Sequence, residues 1–134
     1  MPEQQPETTA ITAGRDASGA LSPTIWTSTT WQSHGLDETS KAATSIHQTG
    51  NYARYSNPSV RDFERAIAEL EGAEDALAFG SGMGAIASII LALCSTGDHI
   101  VAQSQLYGGT VSFLNGPCKR LGIDVTFVDG TTPG

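Results

Sequence analysis

Basic residues are scarce in this sequence. It carries 7 Lys and Arg residues against 14 Asp and Glu residues, which gives a net charge of −7. A chain this acidic is repelled by the phosphate backbone of nucleic acids and by an anionic membrane surface. We therefore expect neither nucleic acid nor a membrane among its partners.

Cysteines and long apolar runs are also few. Cys94 and Cys118 lie in apolar, helix-like surroundings, which favours buried free thiols over a disulfide framework. The longest apolar run is too short to span a bilayer, and the N-terminus lacks the basic and apolar segments of a signal peptide. The expected location is the cytoplasm.

The first part of the chain has too few regularly spaced apolar residues to predict extended secondary structure. Residues 1–51 are rich in Thr, Ser, Gly and Gln, and only residues 36–46 have a pattern compatible with a short helix. We interpret residues 1–51 as an arm that contacts a neighbouring subunit. Its apolar anchors would be Leu21, Ile25, Trp26 and Trp31.

A well-marked helix follows the arm. Apolar residues at 60, 63, 67 and 70 have helical spacing, Asn57 or Ser59 can cap the start, and Gly72 stands where the helix would stop. The charged residues are interpreted as a solvated polar face: Asp62, Glu64 and Arg65.

Beyond this helix, apolar runs at 76–79, 99–102 and 123–128 predict three strands. One helix up to Leu93 follows the first strand, and a second helix at 110–121 follows the next. The side chains of the second helix predicted to face inward are Val111, Leu114, Cys118 and Leu121. Strands that alternate with helices give an α/β fold with a parallel sheet.

A glycine turn, Gly80-Ser81-Gly82-Met83-Gly84, joins the first predicted strand to its helix. Glycines remove the Cβ atoms that would keep an anion from the main chain, and a helix N-terminus supplies unpaired N–H groups and a positive dipole end. The turn therefore predicts a phosphate site. A turn that serves only close packing is the structural alternative.

The same turn satisfies the loose dinucleotide pattern G-x-G-x-x-G/A. A dinucleotide site also needs an acidic residue near the end of the second strand to hold the ribose, and residues 101–105 offer none. A nicotinamide-binding domain is therefore the weaker alternative.

Three motifs in order carry a resemblance. They are Tyr52-x-Arg54-x-x-Asn57-Pro58-Ser59, Ala78-Phe79-Gly80-Ser81-Gly82-Met83 and Leu106-Tyr107-Gly108-Gly109-Thr110. Together they closely resemble the N-terminal third of the Cys/Met metabolism family of pyridoxal 5'-phosphate (PLP) enzymes. That family includes cystathionine γ-synthase, cystathionine lyases, methionine γ-lyase and the homoserine-ester sulfhydrylases. The similarity runs from about residue 7 to residue 129.

The resemblance implies a fold-type I PLP-dependent transferase, of which residues 52–134 would form the first part of the large PLP-binding domain. It implies that the main-chain N–H groups of Gly82 and Met83 hold the cofactor phosphate, and that Tyr107 stacks on the pyridine ring and acts in proton transfer. Tyr52 and Arg54 would reach the cofactor of a neighbouring subunit. A homo-oligomer, either a dimer or a tetramer, is therefore implied.

The implied activity is elimination or replacement at the γ- or β-carbon of an amino-acid substrate, either sulfur-containing or of the O-acyl-homoserine type. Residues 54–64 look most like the succinylhomoserine sulfhydrylase and cystathionine γ-synthase or lyase branches. Methionine γ-lyase is an alternative, which Gly109 disfavours because many of those enzymes have a cysteine there.

The family's Schiff-base lysine lies in a later Ser-x-Thr-Lys stretch that this sequence does not contain. The two lysines, Lys41 and Lys119, match no such motif and are interpreted as surface charges. We expect the 134 residues to be a fragment of a longer enzyme that does not turn over substrate alone. A non-catalytic binding or oligomerisation module is the alternative, and no metal site is predicted.

Overall fold

The structure, a computed structural model, describes residues 5–15, 19–44 and 51–131. Contacts between Cα atoms divide the chain into two compact units, residues 1–78 and 79–134. Within the described ranges, every helix is too short or too polar to cross a membrane.

The described part of the first unit contains three helices: α1 (Pro6–Thr12), α2 (Leu36–Thr44) and α3 (Pro58–Glu71). Helix α1 lies where the sequence predicted no regular structure. It starts with a proline in its first turn, a position where the missing N–H costs nothing. Helix α2 confirms the short predicted helix as far as Thr44, and residues 45–50 lie outside the described ranges.

Helix α3 has both of the ends that the sequence predicts. Asn57 is the N-cap, and its side-chain oxygen accepts a hydrogen bond from the N–H of Ser59 at 2.9 Å. Pro58 occupies the first helical position. Gly72 ends the helix with a φ of 64°, in the left-handed region that glycine adopts at least cost.

The predicted solvated polar face of α3 is confirmed for Arg65, which is exposed, and is wrong for the two carboxylates. Asp62 and Glu64 are only 8% and 9% exposed. The apolar side chains of the helix are exposed instead: Val60, Phe63, Ile67 and Leu70. Burial of the carboxylates is possible because Arg61 lies 3.1 Å from Glu64 and Arg65 lies 3.6 Å from Asp62, so that each buried charge has an opposite charge beside it.

The arm contacts the start of α3 within the first unit. Thr30 and Tyr52 form an isolated antiparallel bridge, and the N–H of Trp26 donates to the hydroxyl of Ser59 at 2.8 Å. Several apolar residues of the arm are nevertheless exposed: Leu21, Ile25 and Trp26. Their burial against a neighbouring subunit stays a prediction.

The described part of the second unit is built on two parallel strands. Strand β1 (His99–Gln103) pairs with β2 (Asp124–Val128), with His99 opposite Asp124. Helix α4 (Gly82–Leu93) precedes β1, and α5 (Gly108–Phe113) runs between the strands and continues into a π-helical turn (Leu114–Cys118). A helix that connects two parallel strands is the crossover unit that the alternating pattern predicts.

Residues 76–79 form no strand, contrary to the prediction. Two of their backbone groups bond to side chains of α3 instead of to a neighbouring strand. The N–H of Ala78 donates to Glu64 Oε1 at 2.8 Å, and the carbonyl of Ala76 accepts from Arg61 at 3.5 Å. The described sheet accordingly has two strands where the sequence predicted three.

The core of the second unit consists of Leu114, Cys118 and Ile123, none of them more than 2% exposed. Leu121 was predicted to face inward and is 47% exposed. The π-helical turn explains the difference, because it winds more loosely than an α-helix and shifts the helical phase of the residues after it.

The Cys118 thiol gives a pH-dependent prediction. Both cysteines are free, as predicted, but only Cys118 is buried, and Cys94 is half-buried. Burial, and to a lesser extent the nearby Cys94 thiol, raises the pKa of Cys118. An unfolded thiol ionises at about pH 8.5. Since the folded thiol keeps its proton to higher pH, the unfolded state binds fewer protons there and stability falls as the pH rises.

We therefore expect the free energy of unfolding to decrease as the pH rises above about 8.5. The variant Cys118→Ala should have a shallower decrease, in urea unfolding followed by circular dichroism. An equal slope in the two proteins would contradict the prediction.

Candidate functional site

The glycine loop, residues 80–84, opens helix α4. Ser81 is the N-cap, and its Oγ accepts a hydrogen bond from the N–H of Gly84 at 3.0 Å. The first two helical positions are Gly82 and Met83. In the described part of the chain, their N–H groups have no hydrogen-bond partner, as expected for the first turn of a helix. They are donors for a ligand.

The loop leaves its main chain open. A Cβ atom on Gly80 or Gly82 would meet no atom within 4 Å. A Cβ atom on Gly84 would come 3.1 Å from Ser81 Oγ, so this glycine leaves room for the cap itself. An anion can therefore approach the main chain at residues 80–82, where the helix dipole favours negative charge.

Tyr107 lies beside this loop. It is the N-cap residue of α5, shortly after the carboxyl end of β1, and it is 74% exposed. A Cβ atom on Gly109 would come 2.5 Å from Cε1 of the Tyr107 ring and 3.3 Å from the sulfur of Met83. Gly109 thus accommodates both side chains. The structure brings Met83 and Tyr107 together at the sheet edge where ligands bind in open α/β folds.

Thr110 links these two parts of the site. It is 7% exposed, and its hydroxyl donates to the sulfur of Met83 at 3.6 Å. Its N–H donates to the carbonyl of Tyr107 at 2.9 Å. No role for Thr110 was predicted, because a hydroxyl after two glycines is common in turns, and only its contact with Met83 distinguishes it.

Tyr52 and Arg54 form a separate cluster in the first unit, together with Tyr55. The guanidinium carbon of Arg54 lies 5.0 Å from the ring centroid of Tyr52 and 5.6 Å from that of Tyr55. Both rings are exposed, at 38% and 60%. Cation–π contacts of this kind orient the guanidinium and leave its N–H groups available for an anion such as phosphate or carboxylate.

The remaining candidates lie elsewhere. Lys41 is exposed in the last turn of α2, and Lys119 is exposed directly after the π-helical turn. Among the residues that the structure describes, no cluster of His, Cys, Asp or Glu side chains could hold a metal ion. The second unit offers main-chain N–H groups and the phenol of Tyr107, and the separate cluster in the first unit offers the Arg54 guanidinium. Donors of these kinds suit an anionic ligand.

Gly109 gives a prediction for the site. In Gly109→Ala the new methyl group would overlap the Tyr107 ring, and we expect the ring to move away. Stability should change little, because the exposed Tyr107 side chain can adopt another rotamer. The nuclear magnetic resonance signals of the Tyr107 ring, which lies against Gly109, should shift. Gly108→Ala is the matched control, because a Cβ atom on Gly108 meets nothing within 4 Å. Equal shifts of the ring signals in both variants would contradict the prediction.

Comparison with known proteins identifies a family. Residues 7–134 match the sequence profile of the family described as Cys/Met metabolism PLP-dependent enzyme. O-succinylhomoserine sulfhydrylase from Pseudomonas aeruginosa is 49% identical over 76 residues, which are 57% of this chain and 19% of that protein. L-methionine gamma-lyase from Treponema denticola is 36% identical over 115 residues, which are 86% of this chain and 29% of that protein.

A solved structure is similar over nearly the whole chain. A putative O-acetylhomoserine (thiol)-lyase from Campylobacter jejuni, solved with N'-pyridoxyl-lysine-5'-monophosphate, superposes with a TM-score of 0.82 at 26% identity. The match covers 95% of this chain and 32% of that one. The chain thus spans between 19% and 32% of the length of these three proteins.

Proposed function

The chain belongs to the Cys/Met metabolism family of PLP-dependent enzymes, and we propose that it supplies the first part of the cofactor site of such an enzyme. Its fold is the α/β fold of fold-type I PLP enzymes, as predicted. The proposed activity is elimination or replacement at the γ- or β-carbon of a sulfur-containing or O-acyl-homoserine amino acid. Homoserine-ester sulfhydrylases and cystathionine γ-synthases or lyases are the preferred branches, and methionine γ-lyase is the alternative.

One observation carries the proposal: within the described ranges, the N–H groups of Gly82 and Met83 at the start of α4 have no hydrogen-bond partner. Two adjacent donors at the positive end of a helix fit the phosphate group of PLP, and a Cβ atom on Gly82 would meet nothing described within 4 Å. The exposed ring of Tyr107 lies next to Met83 and can stack on a flat ligand. The residues present therefore fit the cofactor.

Each residue has a proposed task. Gly82 and Met83 bind the phosphate, while Tyr107 orients the pyridine ring and holds or moves a proton at its phenol oxygen. Tyr52 and Arg54 donate to the phosphate in the site of a neighbouring subunit. When bound, PLP supplies an electron sink at the substrate carbon. The working unit would then be a homo-oligomer that shares its sites between subunits.

The proposal extends to the domains and the location. Residues 1–51 would form an arm on a neighbouring subunit, which the exposed side chains of Leu21 and Ile25 support. Residues 52–134 would begin the PLP-binding domain. The two free thiols support a cytoplasmic location.

The test uses 4'-deoxypyridoxine 5'-phosphate, an analogue without the aldehyde that would react with lysines. In a nuclear magnetic resonance (NMR) titration of the 134-residue chain, we expect the amide signals of Gly82 and Met83 to move. Unphosphorylated 4'-deoxypyridoxine should move them far less. Equal or larger shifts with NADH would favour the nicotinamide alternative and contradict the proposal.

Two glycine variants complete the test. Gly82→Val places a side chain in the open space before the loop and should abolish the shifts. Gly35→Ala is the control, because a Cβ atom on Gly35 also meets nothing within 4 Å, and it should bind as the wild type does. Binding that survives in Gly82→Val would show that the analogue does not use the loop.

A further inference from the structure

A buried ionic cluster lies between α3 and the segment that leads to the glycine loop. Nη1 of Arg61 is 3.1 Å from Glu64 Oε2 and 2.6 Å from Asp75 Oδ1. The side chains of Arg61 and Glu64 are only 12% and 11% exposed. The contacts with Asp75 and then Glu64 raise the pKa of Arg61 despite its burial, so the guanidinium is charged.

This cluster also binds main-chain groups. Glu64 uses one carboxylate oxygen for Arg61 and the other for the N–H of Ala78, at 2.8 Å. Arg61 donates in addition to the carbonyl of Ala76 at 3.5 Å. Ala78 precedes Gly80, the first glycine of the loop, by two residues. A side chain of α3 therefore binds the backbone two residues before the loop.

Stability alone is a poor explanation for this cluster. A buried ion pair contributes little compared with apolar residues of similar volume. Within the described residues, Nε of Arg61 is buried without a hydrogen-bond partner, which adds a cost. Apolar side chains could pack α3 at lower cost, but they could not bind the N–H of Ala78.

We propose that Glu64 is a positioning residue for the glycine loop. Its carboxylate, held by Arg61, fixes the N–H of Ala78, two residues before Gly80. The inference rests on the proposed function, because it assigns Glu64 to the loop that would bind the cofactor phosphate. A loop that is fixed in advance loses less conformational freedom when it binds its ligand.

Three variants of the 134-residue chain test the role. Glu64→Leu removes both bonds of the carboxylate. Glu64→Gln keeps an oxygen that can accept from Ala78 and should restore the wild-type behaviour in large part. Asp62→Leu is the matched control, because Asp62 lies on the same helix, is 8% exposed against 9% for Glu64, and pairs with Arg65 of α3 itself.

We expect hydrogen exchange at the Ala78 amide to be faster by about tenfold or more in Glu64→Leu, because its acceptor is gone. The amide signals of Gly80 and Gly82 should shift in the same variant. Affinity for 4'-deoxypyridoxine 5'-phosphate should fall by about tenfold, which is the lower end of the usual range when a contact that supports a binding residue is lost. Asp62→Leu should leave all three measurements near the wild-type values.

Unchanged Gly80 and Gly82 signals in Glu64→Leu, or equal changes in Asp62→Leu, would overturn the positioning role. If Glu64→Leu does not fold, Glu64→Asp replaces it, since the shorter carboxylate cannot span Arg61 and Ala78. A wild-type chain that does not bind the analogue would refute the proposed function alone, because the exchange rate and the glycine signals test the positioning without a ligand.

Discussion

Replacement of Leu114 by alanine is expected to lower the free energy of unfolding by about 2–5 kcal/mol. Leu114 is 2% exposed and belongs to the buried cluster of the second unit. Half-buried side chains from α4 and from both strands pack against that cluster: Ile90, Ile100, Val125 and Phe127. Because these neighbours are held by the sheet and the helix, they can fill the cavity only in part.

Leu93→Ala is the matched control for this prediction. Leu93 is 78% exposed at the end of α4, so its truncation should change the free energy of unfolding by less than about 0.5 kcal/mol. Urea unfolding of the whole chain, followed by circular dichroism, measures both variants. Equal losses in the two variants would mean that Leu114 does not lie in a packed core.

The parts of the fold that depend on single residues were predictable from the sequence. Asn57 and Gly72 mark the ends of α3 because few residue types can bond the first N–H groups of a helix or adopt a positive φ. These signals are local and need no knowledge of distant residues. The glycine turn was predicted only in outline: a helix follows it, but that helix begins inside the turn at Gly82, and the sequence pattern did not predict Ser81 as its N-cap.

The prediction of a strand at 76–79 is wrong because a β-strand needs a neighbouring strand to bond with. The apolar composition of these residues is that of a buried strand, but the main chain there bonds to Arg61 and Glu64, which lie 15 and 14 residues earlier. The burial of Glu64 was missed for the same reason. A charged residue three positions after an arginine is typical of a solvated helix face, and only its contact with Ala78 reveals otherwise.

The candidate site was predicted in part. The glycine turn at residues 80–84 predicted unpaired N–H groups at the helix start, and within the described residues the N–H groups of Gly82 and Met83 have no partner. Only the family resemblance implied that these two residues hold a phosphate. The crowding of Met83 and Tyr107 around Gly109 could not be predicted, because it depends on where two side chains point. The cofactor roles of these residues stay predictions, which the titrations described above test.

Arg61→Met is expected to destabilise the first unit by about 3–5 kcal/mol, the usual loss when one partner of a buried ion pair is removed. The charge of Glu64 would remain, 11% exposed, without its guanidinium. Asp75 is 35% exposed and can turn to water, so most of the cost comes from Glu64. Tryptophan fluorescence during urea unfolding measures the effect, because both tryptophans lie in this unit.

Lys41→Met is the control, since Lys41 is an exposed cation of the same unit and its loss should cost less than about 1 kcal/mol. The double variant Arg61→Met with Glu64→Leu should regain most of the stability, because two apolar side chains replace the buried pair, and the carboxylate of Asp75 can turn to water. It should not regain slow exchange at Ala78, since the acceptor is still absent. A double variant as unstable as Arg61→Met would mean that attraction within the pair, and not the stranded carboxylate, sets the cost. If the double variant regains stability while the Ala78 amide still exchanges fast, the effect of the cluster on stability is separate from its effect on the backbone before the loop.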